Sequence, residues 1–460
     1  MGRMDFPVGK GLASQRDWTK GSIIGNLLSL AWPMMAGGSL DMLGPTIDMI
    51  WVGRLGAASI AGVGVSGMVT MLVQSMMMGL YMGLRAMVAR FVGAGDVKGA
   101  NHVAQQSLVI NVIYSITMAL IGIFLADHIL LLMGVEPDVI VQGVPYLRIQ
   151  FVGMVTMSFR RMSEATMQAS GDSVRPMFIA IFYRLFHIVL CPFLVFGWWI
   201  FPQLGVSGAA LTNVFSQGIG AVLGMWFLFG GKTRLQLTLR NFRLDPSMIW
   251  RLVKLALPAS VTAMERTLGN LVLIWFMTPF GTLAVAAHTI NQRVEMFIHT
   301  PAMALGQAAG VLAGQNLGAN QPSRAEKTGW IGAGFLGGIM LIVSLAVFLC
   351  AENLIHIFSS DPELIRLAGI FLRIACAGYF TMGITAALQQ CVNGAGDTLI
   401  PMIIMLLNMW IVQVPLAYFL PRMTGLGVYG VRWAIIAGAT TAALIYALYF
   451  RLGRWKYKKV

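Results

Sequence analysis

Leu27–Gly56 reads LLSLAWPMMAGGSLDMLGPTIDMIWVGRLG, a run of bilayer length that carries two carboxylates, Asp41 and Asp48. Seven residues is close to two helical turns, so both acids fall on nearly one face, ~10 Å apart along the axis. Each costs ~2.5–3.5 kcal/mol at mid-membrane on insertion scales, so two on one face call for a functional or structural partner. Pro45 lies between them and has no N–H for the carbonyl of Asp41. A bend and a free backbone acceptor are therefore expected beside that acid. The stretch is suited to hold a proton or another cation.

The bulk composition places this run in a bilayer. Hydrophobic residues make up 57% of 460 and charged residues only 11%, with a mean hydropathy of +0.75. Soluble chains carry about 25% charge, so an integral membrane protein is indicated. Spans of ~20 apolar residues divide the chain into twelve. Their expected limits are 22–52, 58–91, 103–126, 139–168, 175–200, 206–230, 248–278, 283–314, 327–350, 364–392, 398–420 and 428–452.

The +14 net charge follows the connections between spans. Arg3, Lys10, Arg16 and Lys20 precede the first. Arg90, Lys98, Arg175, Lys232, Arg234, Arg240, Arg243, Arg324 and Lys327 fall in alternate connections, and Arg451, Arg454, Lys456, Lys458 and Lys459 close the chain. The intervening connections hold little beyond Arg54 and Arg422, and two are acidic (Asp127, Glu136, Asp138; Glu352, Asp361, Glu363). That is the positive-inside bias of a multi-pass protein of the inner or plasma membrane with both termini cytoplasmic. The basic excess thus reports topology, not nucleic-acid binding. The polar first twenty residues have no apolar signal core, so no cleaved signal peptide is expected. Cys191, Cys350, Cys376 and Cys391 form no CxxC pair and are expected as free buried thiols, with no disulfide or metal site.

A repeat organises the rest. Leu252–Gly281, LVKLALPASVTAMERTLGNLVLIWFMTPFG, answers the opening run: Pro258 and Gly281 lie 225 residues after Pro33 and Gly56. The same shift relates EPDVI at 136–140 to DPELI at 361–365, YLRI at 146–149 to FLRI at 371–374, and SGDSVRPM at 170–177 to AGDTLIPM at 395–402. One offset across several connections marks a duplication. Six spans per unit is an even number, so both units enter the membrane the same way round and are related by an axis along the membrane normal, with a substrate cleft between them. The expected organisation is a tail at 1–21, an N-lobe at 22–230 (spans one to six), a linker at 231–247, a C-lobe at 248–452 (spans seven to twelve) and a basic tail at 453–460.

With DMIWVGRLGAASIAGVG at 48–64, GAGD at 93–96, AVAAH at 284–288 and GQNLGA at 314–319, the chain resembles the multidrug and toxic compound extrusion (MATE) family from residue 22 onward. No one motif is decisive, but their order and spacing are specific. The resemblance implies an all-α integral membrane protein of twelve transmembrane helices in two six-helix lobes related by a pseudo-twofold. It also implies a cation-coupled exporter of small amphipathic, often cationic, organic compounds, with Na+ or H+ as coupling ion, no cofactor and no enzymatic activity. A monomer is expected, whose partners are the small-molecule substrate and the lipid bilayer.

Asp48 falls where the family has its first-span acid, fifteen residues after Pro33. It is read as the cation-coupling group, against a structural acid bonded to a neighbouring helix. Asp41 aligns with Arg266, leaving open an ion pair across the lobe interface or a coupling role. Archaeal DinF-like members pair the first-span acid with Asn and Asp in the fifth span. Here that stretch reads RLFHIVLCPF, with His187 and Cys191 at those positions, so a site of that type is incomplete and His187 is either a substitute or a packed histidine. Thr212 and Asn213 would add oxygen ligands or only helix–helix hydrogen bonds. In the second half, Glu265 falls within one residue of the seventh-span sodium-site acid of NorM-like members, but the tenth span offers only Glu363 at its edge. His288, Gln292, Glu295 and His299 make a polar stripe at helical spacing, with Asn291 and Arg293 beside it, and this face must meet protein or water. Glu265 and Glu295 are the coupling candidates there. Arg160, Arg161 and Glu164 are read as local ion pairs rather than a gate. Met35, Met42, Met49, Trp51, Met68, Met71 and Tyr81 suit a cavity for flat cations, since thioethers repack and aromatic faces attract positive charge.

Other classes fare worse. GAGD, at 93–96 and again at 394–397, resembles the GxGD of intramembrane aspartyl proteases, but each lies at an expected turn and the partner Tyr-Asp pair is missing. A lipid-linked saccharide flippase of the same superfamily is the alternative within transport; twelve spans and an acidic first helix favour drug export. Nothing resembles a channel filter.

Overall fold

In a computed structural model, which describes residues 17–240 and 242–458, the described residues are helical with no strand among them. Arg3, Lys10, Arg16 and Lys459 lie outside the described residues. The first half consists of α1 (Ile23–Val52), α2 (Ala57–Gly93), α3 (Val97–Leu132), α4 (Pro137–Val152), α5 (Met154–Ala169), α6 (Val174–Phe196) and α7 (Val206–Phe229). The second consists of α8 (Pro246–Met277), α9 (Thr282–Gly318), α10 (Pro322–His356), α11 (Pro362–Gly394), α12 (Leu399–Leu407), α13 (Val414–Met423) and α14 (Val428–Leu452). The pair α4–α5 is one span bent by 44°. The pair α12–α13 is joined through a π-helical turn, Asn408–Gln413. Twelve membrane-crossing rods result, six in each lobe. α8 carries four charged residues, Arg251, Lys254, Glu265 and Arg266.

The rods overshoot the apolar runs that predict them. α3 has 36 residues and α10 has 35, about 54 Å of helix at 1.5 Å per residue, against a hydrocarbon core of ~30 Å. Their polar ends continue the helix into the interface. The glycine–acid corners set the boundaries: Gly95 (φ 75°) ends α2, and the Asp96 carboxylate accepts from the Gly99 amide at 2.8 Å to start α3. Asp96 and Asp397 therefore stand at turns, Asp397 bonded to Tyr449 and 3.5 Å from the Lys458 ammonium, and not at an intramembrane dyad. The expected single helix at 139–168 breaks at Gly153, where a Cβ would press on Val214 of α7.

The duplication is visible in side chains. At the end away from the termini, Arg148 binds Asp127 at 2.8 Å. Arg373 binds Glu352 at 2.9 Å, each residue 225 positions after its counterpart. The lobes meet through α1 against α9 and α2 against α8, pairs that exchange under the same shift. Small residues let these backbones approach, the usual packing device where lipid offers no hydrophobic drive between helices. A Cβ on Gly79 would collide with the Ala256 carbonyl and the Ser260 amide of α8, and one on Gly38 would touch Thr300 at 3.4 Å.

Hydrogen bonds that join the lobes fall in the half nearest the termini. Ser260 donates to the Met76 carbonyl, Arg85 to Gln307 at 3.2 Å, Gln315 to the Ala169 carbonyl at 2.8 Å and Arg324 to the Gly21 carbonyl at 2.8 Å. Toward the opposite end a Cβ on Gly64 or Gly67 of α2 would meet nothing within 4 Å, and Met68 is 62% exposed. The cleft between the lobes thus narrows toward the termini. The segment before α8 is pinned to α3, with Gln106 bonded to the Arg243 carbonyl at 2.8 Å and His102 to Asp245 at 3.0 Å. The His102 hydrogen bond holds the Asp245 carboxyl below its usual range. A depressed acid stabilises the fold above the ordinary carboxylate pKa, and that contribution is lost as pH falls through the depressed value.

Gly79→Leu is expected to lower stability by about 1–3 kcal/mol through overpacking at the α2–α8 crossing. Gly64→Leu should leave stability unchanged or raise it by up to ~1 kcal/mol, from helix propensity alone. Thermal melting of the two purified variants decides; equal melting temperatures would show that the crossing is not tightly packed.

Candidate functional site

Asp48 is enclosed between α1, α6 and α7, 2% exposed. Its Oδ1 lies 2.8 Å from His187 Nε2 and 3.6 Å from Cys191 Sγ. His187 and Cys191 are four residues apart on α6 and so present to α1 from one face. The other ring nitrogen of His187, Nδ1, is 3.3 Å from Arg184 Nη1 and 3.4 Å from Ser216 Oγ of α7. A guanidinium only donates, so Nδ1 accepts and the proton of the neutral ring stands on Nε2, facing Asp48. Arg184 continues the line: its Nη2 donates to the Asp41 carbonyl at 3.1 Å, the acceptor that Pro45 leaves free. Gly44 makes room, since a Cβ there would stand 2.8 Å from the guanidinium carbon. Asp41, Arg184, His187 and Asp48 therefore form one chain of polar contacts along α1 and α6.

Asp41 is the most heavily partnered acid. Arg161 Nη2 is 2.7 Å from it, Arg160 Nη2 3.5 Å and Arg184 Nη2 3.8 Å, and Tyr183 donates its hydroxyl. Glu164 takes the remaining charge of Arg160 at 3.0 Å and Arg161 at 3.5 Å. These ion pairs run to α5 and α6 of its own lobe. Asp41 does not bridge to Arg266, which is exposed on α8. Arg160 and Arg161 are local ion-pair partners, and what they hold is the first-span acid.

The second half is arranged differently. Glu265 is 7% exposed, and its Oε2 has no hydrogen-bond partner among the described residues. The Oδ1 of Asn408, which opens the π-helical turn, has none either. The stripe on α9 divides. Glu295 pairs with Arg432 of α14, His288 Nδ1 is 3.3 Å from the same guanidinium, and Asn291 donates to the Ala368 carbonyl of α11 at 3.0 Å. His288 and Asn291 are buried, whereas Gln292 and His299 are half-buried and Arg293 is exposed. Part of the stripe thus packs inside the C-lobe, around an arginine that periodicity did not single out. The available signal was the presence of one charge inside the apolar run of α14. Arg184, the lone charge in the apolar body of α6, was missed for the same reason.

The remaining candidates scatter. Thr212 is buried and turned back to the Gly208 carbonyl at 2.8 Å, and half-buried Asn213 accepts from Ser216 through its carbonyl. Trp51 joins an aromatic group with Phe196 and Trp198 near the end away from the termini. Tyr81 is buried within the N-lobe, its hydroxyl 3.3 Å from the Ser158 carbonyl, and does not line the cleft. Met35 is half-buried against the core and Met68 is exposed. Cys350 is exposed on α10, unlike the other three thiols, because it falls on the outer face of its helix. Cys191 is bonded to a carboxylate rather than held in apolar surroundings. Its grouping with Asp48 and His187, all donor atoms within 4.8 Å, is a set that thiophilic metals use. The Arg184 guanidinium against the imidazole opposes a second positive charge there.

Two duplicated helical lobes with buried, internally paired charges beside a cleft define a membrane carrier. Comparison gives the family: the MatE family model matches residues 33–193 and 258–419, once in each lobe, and the chain belongs to that family. It is 28% identical over 437 residues, 93% of each chain, to the "Probable multidrug resistance protein YoeA" of Bacillus subtilis. It is 26% identical over 438 residues, 94% of this chain and 93% of the other, to the "Probable multidrug resistance protein NorM" of Thermotoga maritima. A solved outward-facing multidrug resistance MATE transporter superimposes with a TM-score of 0.90 at 24% identity, covering 96% of this chain and 98% of that one. The protein is a multi-pass efflux transporter of small molecules and not an enzyme.

Asp41→Asn leaves three guanidiniums around a neutral amide and should cost about 3–5 kcal/mol, as for breaking a buried ion pair. Asp48→Asn keeps an acceptor for His187 and should cost less than half of that. Denaturation of both purified variants tests the difference; equal losses would place both acids in the same structural role.

Proposed function

We propose that the protein is a proton-coupled antiporter that exports small amphipathic organic compounds by alternating access. Asp48, hydrogen-bonded to His187, is the observation that carries the reading. A sodium ion seeks several oxygen ligands, whereas carboxylate, imidazole and thiol exchange protons. Because Arg184 keeps Nδ1 of His187 an acceptor, an added proton goes to the Asp48 carboxyl. Protonation turns a charged acceptor into a neutral one, so the bond from Nε2–H weakens and with it a tie of α1 to α6. Pro33 and Pro45 make α1 the helix best able to bend in response.

The same chain of contacts reaches Asp41, and through Arg160 and Arg161 it reaches α5. A proton on Asp48 thereby alters the wall that a substrate meets. Substrate enters from the cytoplasm, the lobes rock, and proton binding from outside favours release and return. One inward charge is worth ~2.3 kcal/mol per 100 mV, enough for modest accumulation. The basic residues gathered at the end that carries the termini support a cytoplasmic location for that end, in the plasma or inner membrane of the cell. One chain holds both lobes and acts as a monomer.

A second reading has its own observation. The unpartnered oxygens of Glu265 and Asn408 offer hard ligands, and sodium coupling in the C-lobe would use them. Efflux from proteoliposomes, with the pH gradient and the sodium gradient imposed separately, separates the two. We expect a pH gradient alone to drive efflux in the wild type and not in Asp48→Asn, with equal amounts of folded protein. Efflux driven by sodium alone, lost in Glu265→Gln and kept in Asp48→Asn, would overturn the proton reading.

A further inference from the structure

Arg85 lies on α2 about two turns from the end that carries the termini, at the seam of the lobes. Its Nη1 meets Gln168 Oε1 at 3.4 Å in its own lobe and Gln307 Oε1 at 3.2 Å in the other. Both partners are neutral amides, and no carboxylate pairs with it among the described residues. The acid nearest by connection, Glu164, is taken by Arg160 at 3.0 Å, Arg161 at 3.5 Å and Gln168 Nε2 at 3.0 Å. The wall of the N-lobe thus carries four arginines (Arg85, Arg160, Arg161, Arg184) against Asp41, Glu164 and Asp48, and Arg85 is the surplus charge. An uncompensated ion withdrawn from water is costly, and intramembrane charges are kept where they have a use.

Beside Arg85 is a small cavity of about 20 Å³ lined from both lobes, with Gln307, Gln390 and Asn393 in its wall. Gln390 and Asn393 are 5% and 3% exposed, and their side-chain amides make no hydrogen bond within the protein among the described residues. A guanidinium and idle amide N–H groups around one cavity are donors awaiting oxygen acceptors.

We propose that this cavity is an oxyanion subsite: Arg85, with Gln390 and Asn393, receives a carboxylate, phosphate or sulfonate group of the transported compound. The cavity is more than tenfold smaller than the ~300–1,000 Å³ of a drug-sized site, so it takes no more than the charged head while the apolar body lies in the cleft. This departs from the cationic class expected from the methionines and aromatics. Because Arg85 ties the two lobes through Gln168 and Gln307, an anion that takes over its donors loosens that tie and favours the rocked state. The inference rests on the carrier reading but is independent of the coupling ion.

The test uses the full chain in detergent and two dyes with one ring system and opposite charge, carboxyfluorescein and rhodamine 123, with affinity read by fluorescence anisotropy. Carboxyfluorescein should bind the wild type more tightly. Arg85→Gln should weaken it about tenfold or more, the loss of a charge-assisted hydrogen bond, and Arg85→Lys by less. Asn393→Asp, which places a carboxylate beside Arg85, should abolish the anion preference without lowering rhodamine affinity. Thermal melting confirms that each variant is folded. Unchanged carboxyfluorescein affinity in Arg85→Gln, or preference of the wild type for rhodamine, would overturn the proposal. So would a dye that inorganic phosphate displaces but that wild-type proteoliposomes do not move, since the site would then serve free oxyanions. Binding needs no ion gradient, so a failure of proton-driven efflux with Arg85-dependent binding intact would count against the coupling scheme alone.

Discussion

A bilayer interior has no water to satisfy a polar group, and this constraint arranges the N-lobe. Asp41 must find cations inside its own lobe, and it finds three: Arg160, Arg161 and Arg184. Those arginines fix how α5 and α6 lie against α1. That fixes His187, and His187 fixes Asp48. Asp41 is thus the structural anchor that positions Asp48. Asp48 has only hydrogen bonds and no ion pair with an arginine, so its charge is the one that can change without dismantling the lobe.

The fold was legible in the sequence because it rests on patterns of low resolution. Twelve apolar runs, alternating basic connections and one repeated offset define the architecture, and the duplication reappears as the matched ion pairs Arg148–Asp127 and Arg373–Glu352. The bend at Gly153 was not legible. It depends on which side chain of α7 faces that glycine, and no local signal carries that. The π-helical turn at Asn408 is hidden for the same reason: its residues are ordinary helix formers in an apolar run.

The site was legible in its members more than in its connections. Asp48, His187 and Cys191 could be named from spacing and resemblance, and the free carbonyl beside Asp41 follows from Pro45. Arg184 and Arg432, which organise the two lobes, were passed over because a lone arginine in a span offers no periodicity. The α9 stripe shows the limit of helical spacing. It shows that a face is polar but not whether that face meets a cleft or a neighbouring helix, and here Arg432 draws His288 and Glu295 inward.

Gly44 and Gly269 are 225 residues apart, as are Arg184 and Met409, and in both lobes the longer side chain lies over the glycine, a Cβ on Gly269 standing 2.8 Å from Met409 Cε. Ancestrally equivalent slots therefore hold a guanidinium in one copy and a thioether in the other. A twofold along the membrane normal exchanges the lobes and leaves the two faces of the membrane distinct, so what this divergence alters is the chemistry of each lobe. Divergence at this slot breaks the twofold: the N-lobe carries a buried cation beside its first-span acids, and the C-lobe fills the same space with an apolar group.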